Sequence, residues 1–422
     1  MILRARVVFP LTGSAIRDGA VVVRGNRILR VQPWRELNHS PALSRRNLAE
    51  TIDLGDVILL PGLVNAHCHL DYTHMAGQLP PPKQFTDWLK AITETKSGWD
   101  YSDYADSWGA GAQMLVRTGT TTVADIEAVP QLLPEAWEST PLRVISLVEM
   151  IGISNRRLPE AILEDVLRKL DSLPTGRCQV GLSPHAPYST LPELLRLSAR
   201  ASRVHKYPVA IHVSESAPEY AMFKLRSGPM FDWMRKSGRD MADCGLGTPL
   251  EHVDRSGLLN RRVMAVHLNH LGRKDASLLA RRAAHVVHCP RSHKYFSQRP
   301  FALGRLLRAG VNVCLGTDSL ASVYRRHGQR IELSMFDEMR SFAERFPRLS
   351  PRRILEMATL NGARALGLAG KIGEISRGAY ADLIAVPFRG DLRDVPNAIL
   401  RHTDSVAASM IDGKWAIRPS SD

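Results

Sequence analysis

Four side chains, at three places in the 422-residue chain, have the types and positions to hold one cation: His67 and His69, His212, and Asp318. His67-Cys68-His69 closes the apolar run Val57 to Ala66, and His212 ends Pro208-Val209-Ala210-Ile211. Asp318 follows the segment Gly310 to Gly316. Successive side chains of an extended strand alternate faces, so His67 and His69 share one face and Cys68 takes the other. Three imidazole nitrogens and one carboxylate oxygen suit zinc, with ferrous iron as the alternative, and leave a position for water. A cation held in this way lowers the pKa of a bound water toward ~7. One divalent ion is expected rather than two, because the segment Cys178 to Leu182 carries no Lys or Glu to bridge a second.

Glu215 lies three residues past His212, close enough to take a proton from that water and pass it to a leaving group. His267 ends the apolar run from Val263 and should face the same cavity, where it would polarise the attacked group or hold a tetrahedral intermediate. The free oxygen of Asp318 can also accept the water's proton. Glu215, His267 and Asp318 are therefore the expected catalytic residues, and hydrolysis the expected chemistry. The loop Ser183-Pro184-His185-Ala186-Pro187-Tyr188-Ser189 is stiffened by two prolines and offers His185 as a substrate contact. His270 reads as a loop group; His285 and His288 read as structural at least as readily as site-orienting.

Groups so far apart in sequence need a scaffold that gathers strand ends. Strand-like segments run over Leu63 to Ala66, Thr121 to Ala124, Arg143 to Leu147, Cys178 to Leu182, Val209 to His212, Val263 to His267, His285 to His288 and Val311 to Leu315. Helical patterns separate them, including Tyr104 to Arg117, Pro159 to Leu173, Leu191 to Lys206, Asp275 to Ala284 and Pro300 to Ala309. Eight strands alternating with helices predict an α/β fold, a (β/α)8 TIM barrel over residues 61–372. A doubly wound open sheet is the rival, but no GxGxxG follows an early strand. Before the barrel, Ile2 to Phe9, Ala20 to Val23, Arg27 to Val31 and Asp53 to Leu60 read as strands, with turns at Asp18-Gly19 and Gly25-Asn26. After it comes one helix, Ser350 to Leu366. Strands follow at Asp382 to Val386, Ser405 to Ile411 and Lys414 to Ile417, the last two joined at Asp412-Gly413. Residues 1–60 and 373–422 should join in one composite β-sandwich domain flanking the barrel.

The formal net charge of +14 admits nucleic acid, an anionic membrane or an acidic substrate as partner. The basic residues are dispersed through helical stretches, without aromatic interleaving or recognition-helix spacing, so no nucleic-acid partner is expected. The compact His-x-Glu with paired cysteines used by zinc base deaminases is also absent. No stretch reaches the ~20 apolar residues needed to cross a bilayer, and the N-terminus lacks a signal-peptide core; a cytoplasmic protein without a membrane partner is expected. Cys68, Cys178, Cys244, Cys289 and Cys314 are odd in number and lack CxxC spacing, which predicts reduced, buried thiols.

The motifs together resemble the amidohydrolase superfamily, in its mononuclear branch of aminohydrolases and chlorohydrolases acting on nitrogen heterocycles. They are Pro61-Gly62-Leu63-Val64-Asn65-Ala66-His67-Cys68-His69, the loop 183–189, His212-Val213-Ser214-Glu215, His267-Leu268-Asn269-His270-Leu271, His288-Cys289-Pro290-Arg291-Ser292 and Gly316-Thr317-Asp318-Ser319. The resemblance continues through Ala358 to Gly367 and Gly378 to Leu383 and covers essentially the whole chain. It implies one zinc or iron on His67, His69, His212 and Asp318, a proton shuttle at Glu215, substrate activation by His267, ammonia as the leaving group, and a homodimer. The stretch from Asn65 to Thr73, followed by Phe85-Thr86-Asp87-Trp88-Leu89, looks closest to deaminases of 6-amino-6-deoxyfutalosine in the alternative menaquinone pathway. Related members act on S-adenosylhomocysteine, methylthioadenosine, guanine or chlorotriazines. Trp88 and Tyr188, within these motifs, join His185 as expected substrate contacts. Asp71, just past the metal pair, would hydrogen-bond an amino group or sugar hydroxyl, or cap the following segment. His293 stands where many relatives have Asn and would face substrate.

The expected partner is thus a small nitrogen heterocycle or nucleoside. A chlorohydrolase would use the same site with less need of Glu215. A non-catalytic interaction protein on this fold would have lost a ligand or proton-transfer group, and none is missing. Substrate choice should lie in the loops Asp71 to Trp88, Ile151 to Arg157, Glu219 to Cys244 and Ser319 to Gln329.

Overall fold

The structure, a computed structural model, describes residues 1–38, 51–154, 156–174, 176–325 and 331–420. Positions 326–329 of the loop Ser319 to Gln329, position 155 of the loop Ile151 to Arg157 and positions 39–50 of the N-terminal unit lie outside the described residues.

The first apolar segments pair with their neighbours in sequence. β1 (Ile2–Val8) runs antiparallel to β2 (Ile16–Arg24), which turns at Gly25-Asn26 into β3 (Arg27–Pro33). Gly25 has φ +57, the left-handed conformation a two-residue hairpin requires. Asp18-Gly19, expected as a turn ahead of the strand, lies within β2, with Gly19 opposite Ala5. A Cβ at position 19 would stand 2.6 Å from Val8 Cγ2, so this glycine serves close packing rather than a turn. The single strand expected over Asp53 to Leu60 is two, β4 (Thr51–Asp53) and β5 (Val57–Pro61), parted around Gly55 at φ +70.

The barrel strands are β6 (Leu63–Cys68), β7 (Thr120–Glu127), β8 (Arg143–Met150), β9 (Gln179–Pro184), β10 (Val209–Val213), β11 (Val263–His267), β12 (His285–His288) and β13 (Val313–Leu315). They form one parallel sheet in chain order. The near-continuous apolar runs reflect burial on both faces. Val64, Ala66, Ile145, Leu147, Ala210, Met264, Val266, Val287 and Cys314 pack together inside the barrel. Intervening residues such as Leu63, Val144, Ile211, Ala265 and Val286 pack outward with the helices.

The seam between the first and last strands is closed by side chains and backbone together. Asn65 Nδ2 donates to Thr317 Oγ1 (2.8 Å), and the Thr317 amide donates to Asn65 Oδ1 (3.0 Å). Cys68 and Asp318 form a parallel bridge, and the Asp318 amide donates to the His67 carbonyl at 3.1 Å. Gly316 makes this approach possible: a Cβ there would lie 2.8 Å from the His67 carbonyl oxygen.

The helix expected over Ser350 to Leu366 is two, Pro351–Met357 and Leu360–Ala365. The Ala358 carbonyl at the break accepts from the Val64 amide of the barrel (2.8 Å), and Gly362 then seats against Val64. The second piece joins the residues of the barrel interior through Ala363 and Ala365. β14 (Leu383–Pro387), β15 (Ala408–Ile411) and β16 (Lys414–Ile417) complete the flanking layer, with a left-handed turn at Asp412-Gly413. Its hydrogen bonds make one mixed sheet in the order β16-β15-β14-β5-β1-β2-β3, with β4 beside β1.

Candidate metal centre and active site

A local irregularity brings the first two histidines inside the barrel. Asn65 pairs with Val123 and Cys68 with Asp125, so three steps on β6 oppose two on β7. This bulge shifts the alternation by one residue. Ala66 packs inside, and the rings of His67 and His69 follow it to the cavity while Cys68 turns to the outer core. His212 needs no such device, being two residues past the interior Ala210. Left-handed backbone redirects the chain at three more strand ends: Ser214 (φ +53), His267 and Leu268 (φ +73 and +48), and Asp318 (φ +56). Such strain in non-glycine residues persists only where surrounding structure enforces it, and it clusters at functional sites.

The polar atoms converge on one point. His69 Nε2 and His212 Nε2 are 3.2 Å apart, and Asp318 Oδ1 lies 3.6 Å from His67 Nε2 and 3.8 Å from His69 Nε2. Ligand atoms of His67, His69 and Asp318, of His67, His212 and His267, and of Glu215, His267 and Asp318 form sets within 4.8 Å. Both nitrogens of His67 are buried without a hydrogen-bond partner. An orphaned buried nitrogen is costly unless something else satisfies it, and a divalent cation would do so for His67 Nε2, the nitrogen that faces Asp318. His212 Nδ1 faces the His185 carbonyl at 2.8 Å, which fixes the proton there and leaves Nε2 free to ligate. Burial, with the charge of His67, holds His69 and His212 well below the usual imidazole range, in the neutral form a metal needs. Burial alone would raise Asp318, but the His67 ring and the imidazoles of His267 and His69 outweigh it and keep the carboxyl ionised. Ser322 Oγ donates to Asp318 Oδ2 at 3.2 Å, leaving Oδ1 toward the histidines. The donor set fits a single divalent metal ion.

Glu215 Oε1 lies 3.6 Å from His267 Nε2, and both side chains are buried. Burial, then the charges of Asp318 and Glu219, pushes Glu215 well above the usual carboxylate range, so it can carry a proton near neutrality. The Glu219 carboxylate fixes this turn by accepting from the amides of Ser214 (2.9 Å) and Glu215 (2.8 Å).

These groups form the floor of a cavity of ≈ 120 Å³. Trp88, His185 and Tyr188, expected as substrate contacts, line it. Burial drives His185 down to about 3, so its ring is neutral, and its Nδ1 is 2.6 Å from Ser189 Oγ. Asp71 and His293 stand elsewhere. Asp71 is 1% exposed and does not line the cavity, and neither of its carboxylate oxygens is hydrogen-bonded. His293 lines a separate hollow of ≈ 370 Å³ with His288, Phe301 and Phe342. Val287 takes the inward position on β12, so His288 faces out, and the helix Pro290–Tyr295 carries His293 with it. His293 Nδ1 meets Asn269 Oδ1 at 2.9 Å, and Asn269 Nδ2 donates to the Glu215 carbonyl, so His293 braces the site from behind.

Sequence reasoning missed Tyr72, Phe85, Ile92, Lys96 and Glu149 in the cavity wall. Tyr72 stacks on His69 with ring centroids 5.1 Å apart. A carboxylate two residues beyond the expected end of the Arg143 strand was the signal available for Glu149. For Phe85, Ile92 and Lys96 it was the spacing Phe85, Trp88, Leu89, Ile92, Thr93, Lys96, one face of the helix Phe85–Ser97.

Fold and site define a metal-dependent hydrolase built on a barrel. Residues 58–416 match the amidohydrolase family, and the chain belongs to that family. It is 31% identical to a 5-methylthioadenosine/S-adenosylhomocysteine deaminase from Syntrophobacter fumaroxidans, over 89% of this chain and 82% of that protein. It superposes on a zinc-bound adenosine deaminase from Xanthomonas campestris with a TM-score of 0.81 at 25% identity, covering 99% and 92% of the two chains. Helicobacter pylori aminofutalosine deaminase, solved with methylthio-coformycin, shares the fold at a TM-score of 0.85 and 21% identity, covering 99% and 100%. The protein is a metal-dependent amidohydrolase.

Proposed function

We propose that the protein hydrolytically deaminates a purine nucleoside bearing an exocyclic amine, with release of ammonia. His67, His69, His212 and Asp318 hold the ion, which when bound supplies the Lewis acidity that makes a water nucleophilic near neutral pH. Glu215 takes a proton from that water and delivers it to the substrate. His267, the last residue of β11, turned into the cavity by its left-handed backbone, holds the oxygen that adds to the ring. One water proton ends on the ring nitrogen and the other leaves with the amine as ammonia. The observation that carries the reading is Glu215 Oε1 at 3.6 Å from His267 Nε2 beside Asp318, all facing one cavity. An amine is a poor leaving group and needs the proton that Glu215 can carry; chloride needs it less, which favours deamination over dechlorination. The 5-methylthioadenosine/S-adenosylhomocysteine deaminase and the adenosine deaminase to which the chain is similar support an adenosine-type substrate.

The test is ammonia release by zinc- or iron-loaded protein on adenosine, methylthioadenosine, S-adenosylhomocysteine, aminofutalosine, guanine and a chlorotriazine, with Asp318→Asn as blank. Release from adenosine-type compounds that vanishes in the variant is expected. Turnover confined to guanine or the triazine refutes the proposal. Preference for aminofutalosine would place the enzyme in menaquinone synthesis. A cytoplasmic homodimer accompanies this reading, and light scattering on the purified protein tests its subunit number.

A further inference from the structure

The surplus of positive charge has no part in the metal site, and it is not evenly spread. Between Arg255 and Arg308 stand twelve Lys and Arg against a single acid, Asp275, and no other carboxylate follows until Asp318. That stretch has a surplus of eleven, against +14 for the whole chain. Asp275 is buried and turned inward, accepting from the Gly272 amide (2.7 Å) and Thr248 Oγ1 (2.9 Å).

Along the chain these residues read as dispersed, but the fold gathers them. The stretch builds β11, β12 and β13, and the helices that feed these strands are Pro249–Arg255, Asp275–Arg282 and Leu303–Arg308. Helices of such a barrel run antiparallel to its strands, so their last turns lie at the N-terminal rim, on the face opposite the metal. Arg255, Arg281, Arg282 and Arg308 stand in those last turns, and Arg261 and Arg262 lead into β11. Their segments are neighbours in space: His285 Nε2 lies 3.2 Å from the Arg261 carbonyl, and Arg282 Nε pairs with Asp254 at 2.7 Å. Asp254 is thereby engaged, and Glu251 caps its own helix by accepting from the Thr248 amide at 2.8 Å. Arg261, Arg281 and Arg308 are exposed, and none has a carboxylate at ion-pair distance among the described residues.

Solubility is served by charges of both signs, interspersed. A rim of one sign, whose few acids are already engaged, is suited to a polyanion. Ten of the twelve basic residues are Arg, whose planar fork can pair with two phosphate oxygens at once. The same stretch exposes no large apolar side chain of the kind that anchors a protein in a bilayer. It also exposes no aromatic ring on which a base could stack. Contact with a line of phosphates needs neither, and needs no recognition helix.

We propose that the N-terminal rim of the barrel across β11, β12 and β13 binds the phosphate backbone of a nucleic acid without reading its sequence. The metal cavity lies at the other end of the strands, so this contact leaves the route to the metal open.

The test titrates the metal-loaded full chain into a fluorescein-labelled DNA duplex of mixed sequence and follows anisotropy over a range of salt. A rim variant carries Arg261→Gln, Arg281→Gln and Arg308→Gln. A control variant carries Arg24→Gln, Arg30→Gln and Arg35→Gln, which removes the same charge from exposed positions of the flanking unit. Each phosphate contact contributes about 0.9 to the slope of log K against log salt. The rim variant should therefore lower that slope by about 3 and bind about 100-fold more weakly at low salt, while the control stays within about threefold of wild type. Should the triple rim variant misfold, Arg281→Gln alone should lower the slope by about 1. Absence of wild-type binding at low salt, or equal losses in the rim and control variants, overturns the proposal. Tighter binding to phosphatidylserine vesicles than to the duplex, with the same dependence on the rim, also overturns it and makes the partner a membrane. The readout is binding rather than ammonia release, so its outcome is independent of the deamination reading.

Discussion

Arg143 fastens the barrel to its flanking sheet, and replacing it with Met should cost about 3–5 kcal/mol. It is the first residue of β8, with a side chain 2% exposed. Its Nε donates to Asp382 Oδ2 at 3.0 Å, and its Nη2 to Asp382 Oδ1 at 3.3 Å and Asp412 Oδ1 at 3.1 Å. The guanidinium also lies 4.0 Å from the Tyr380 ring centre. Asp382 immediately precedes β14, and Asp412 sits in the turn from β15 to β16, so one side chain joins three parts of the sheet to the barrel. Arg143→Met keeps much of the packing volume but leaves Asp382, 1% exposed, with only the Asp412 amide at 2.7 Å as donor among the described residues. Asp412 is 28% exposed and regains water, so the cost comes from Asp382. Urea unfolding followed by circular dichroism measures it. In the double variant Arg143→Met, Asp382→Asn the buried charge is gone, and the loss should shrink by about 2 kcal/mol or more relative to the sum of the singles. The pH dependence has a definite sign. Burial already raises Asp382 above its ordinary 3.8, and Arg143 opposes that rise. Without Arg143 the folded carboxyl holds its proton to still higher pH, while the unfolded one ionises as usual. The penalty is therefore absent in acid and grows as pH rises from the unfolded value through the folded one. A loss below about 1 kcal/mol at pH 7, or simple additivity in the double variant, would refute this account of the joint.

Glu215→Gln should keep its metal, measured by elemental analysis, while ammonia release falls by about 10²–10⁴-fold; loss of the metal instead would make Glu215 a ligand. Chelation should lower the thermal midpoint, and zinc should restore it. At a thousandfold excess over Kd the ion stabilises by about 4 kcal/mol. Because burial holds His69 and His212 well below the usual imidazole range, the ion should be retained at pH values where free imidazole is already protonated. Dialysis at graded pH followed by metal analysis checks this. All five cysteines are buried, and burial raises Cys68, Cys178, Cys244, Cys289 and Cys314. A disulfide reagent should modify none in the native protein and all in urea; one fast native thiol would show an opening in the core.

What the sequence makes legible here follows from where polar groups fall relative to apolar strands. His67, His69, His212, His267 and Asp318 each end an apolar segment, and strand ends on one rim of a barrel must converge, so the metal and proton-transfer chemistry can be read without coordinates. How each side chain turns inward cannot. Strict alternation pairs His67 with His69 correctly, but only the bulge between Asn65 and Cys68 puts that pair inside along with Ala66. His267 departs from the outward face of Ala265 through left-handed backbone that leaves no mark in composition. His293 follows a motif that suggests substrate, yet the inward place on β12 belongs to Val287, and its helix leaves the cavity. Glu149 escaped because the expected strand stopped at Leu147, although the end-of-strand logic that found the histidines applies equally to it. Lys96 lies on a covering helix whose partner is set only by tertiary packing; its spacing marks a face but not what that face meets. Reaction chemistry sits on the strands and is readable, whereas discrimination among substrates sits where strand ends meet a covering helix, and depends on a juxtaposition no single segment encodes.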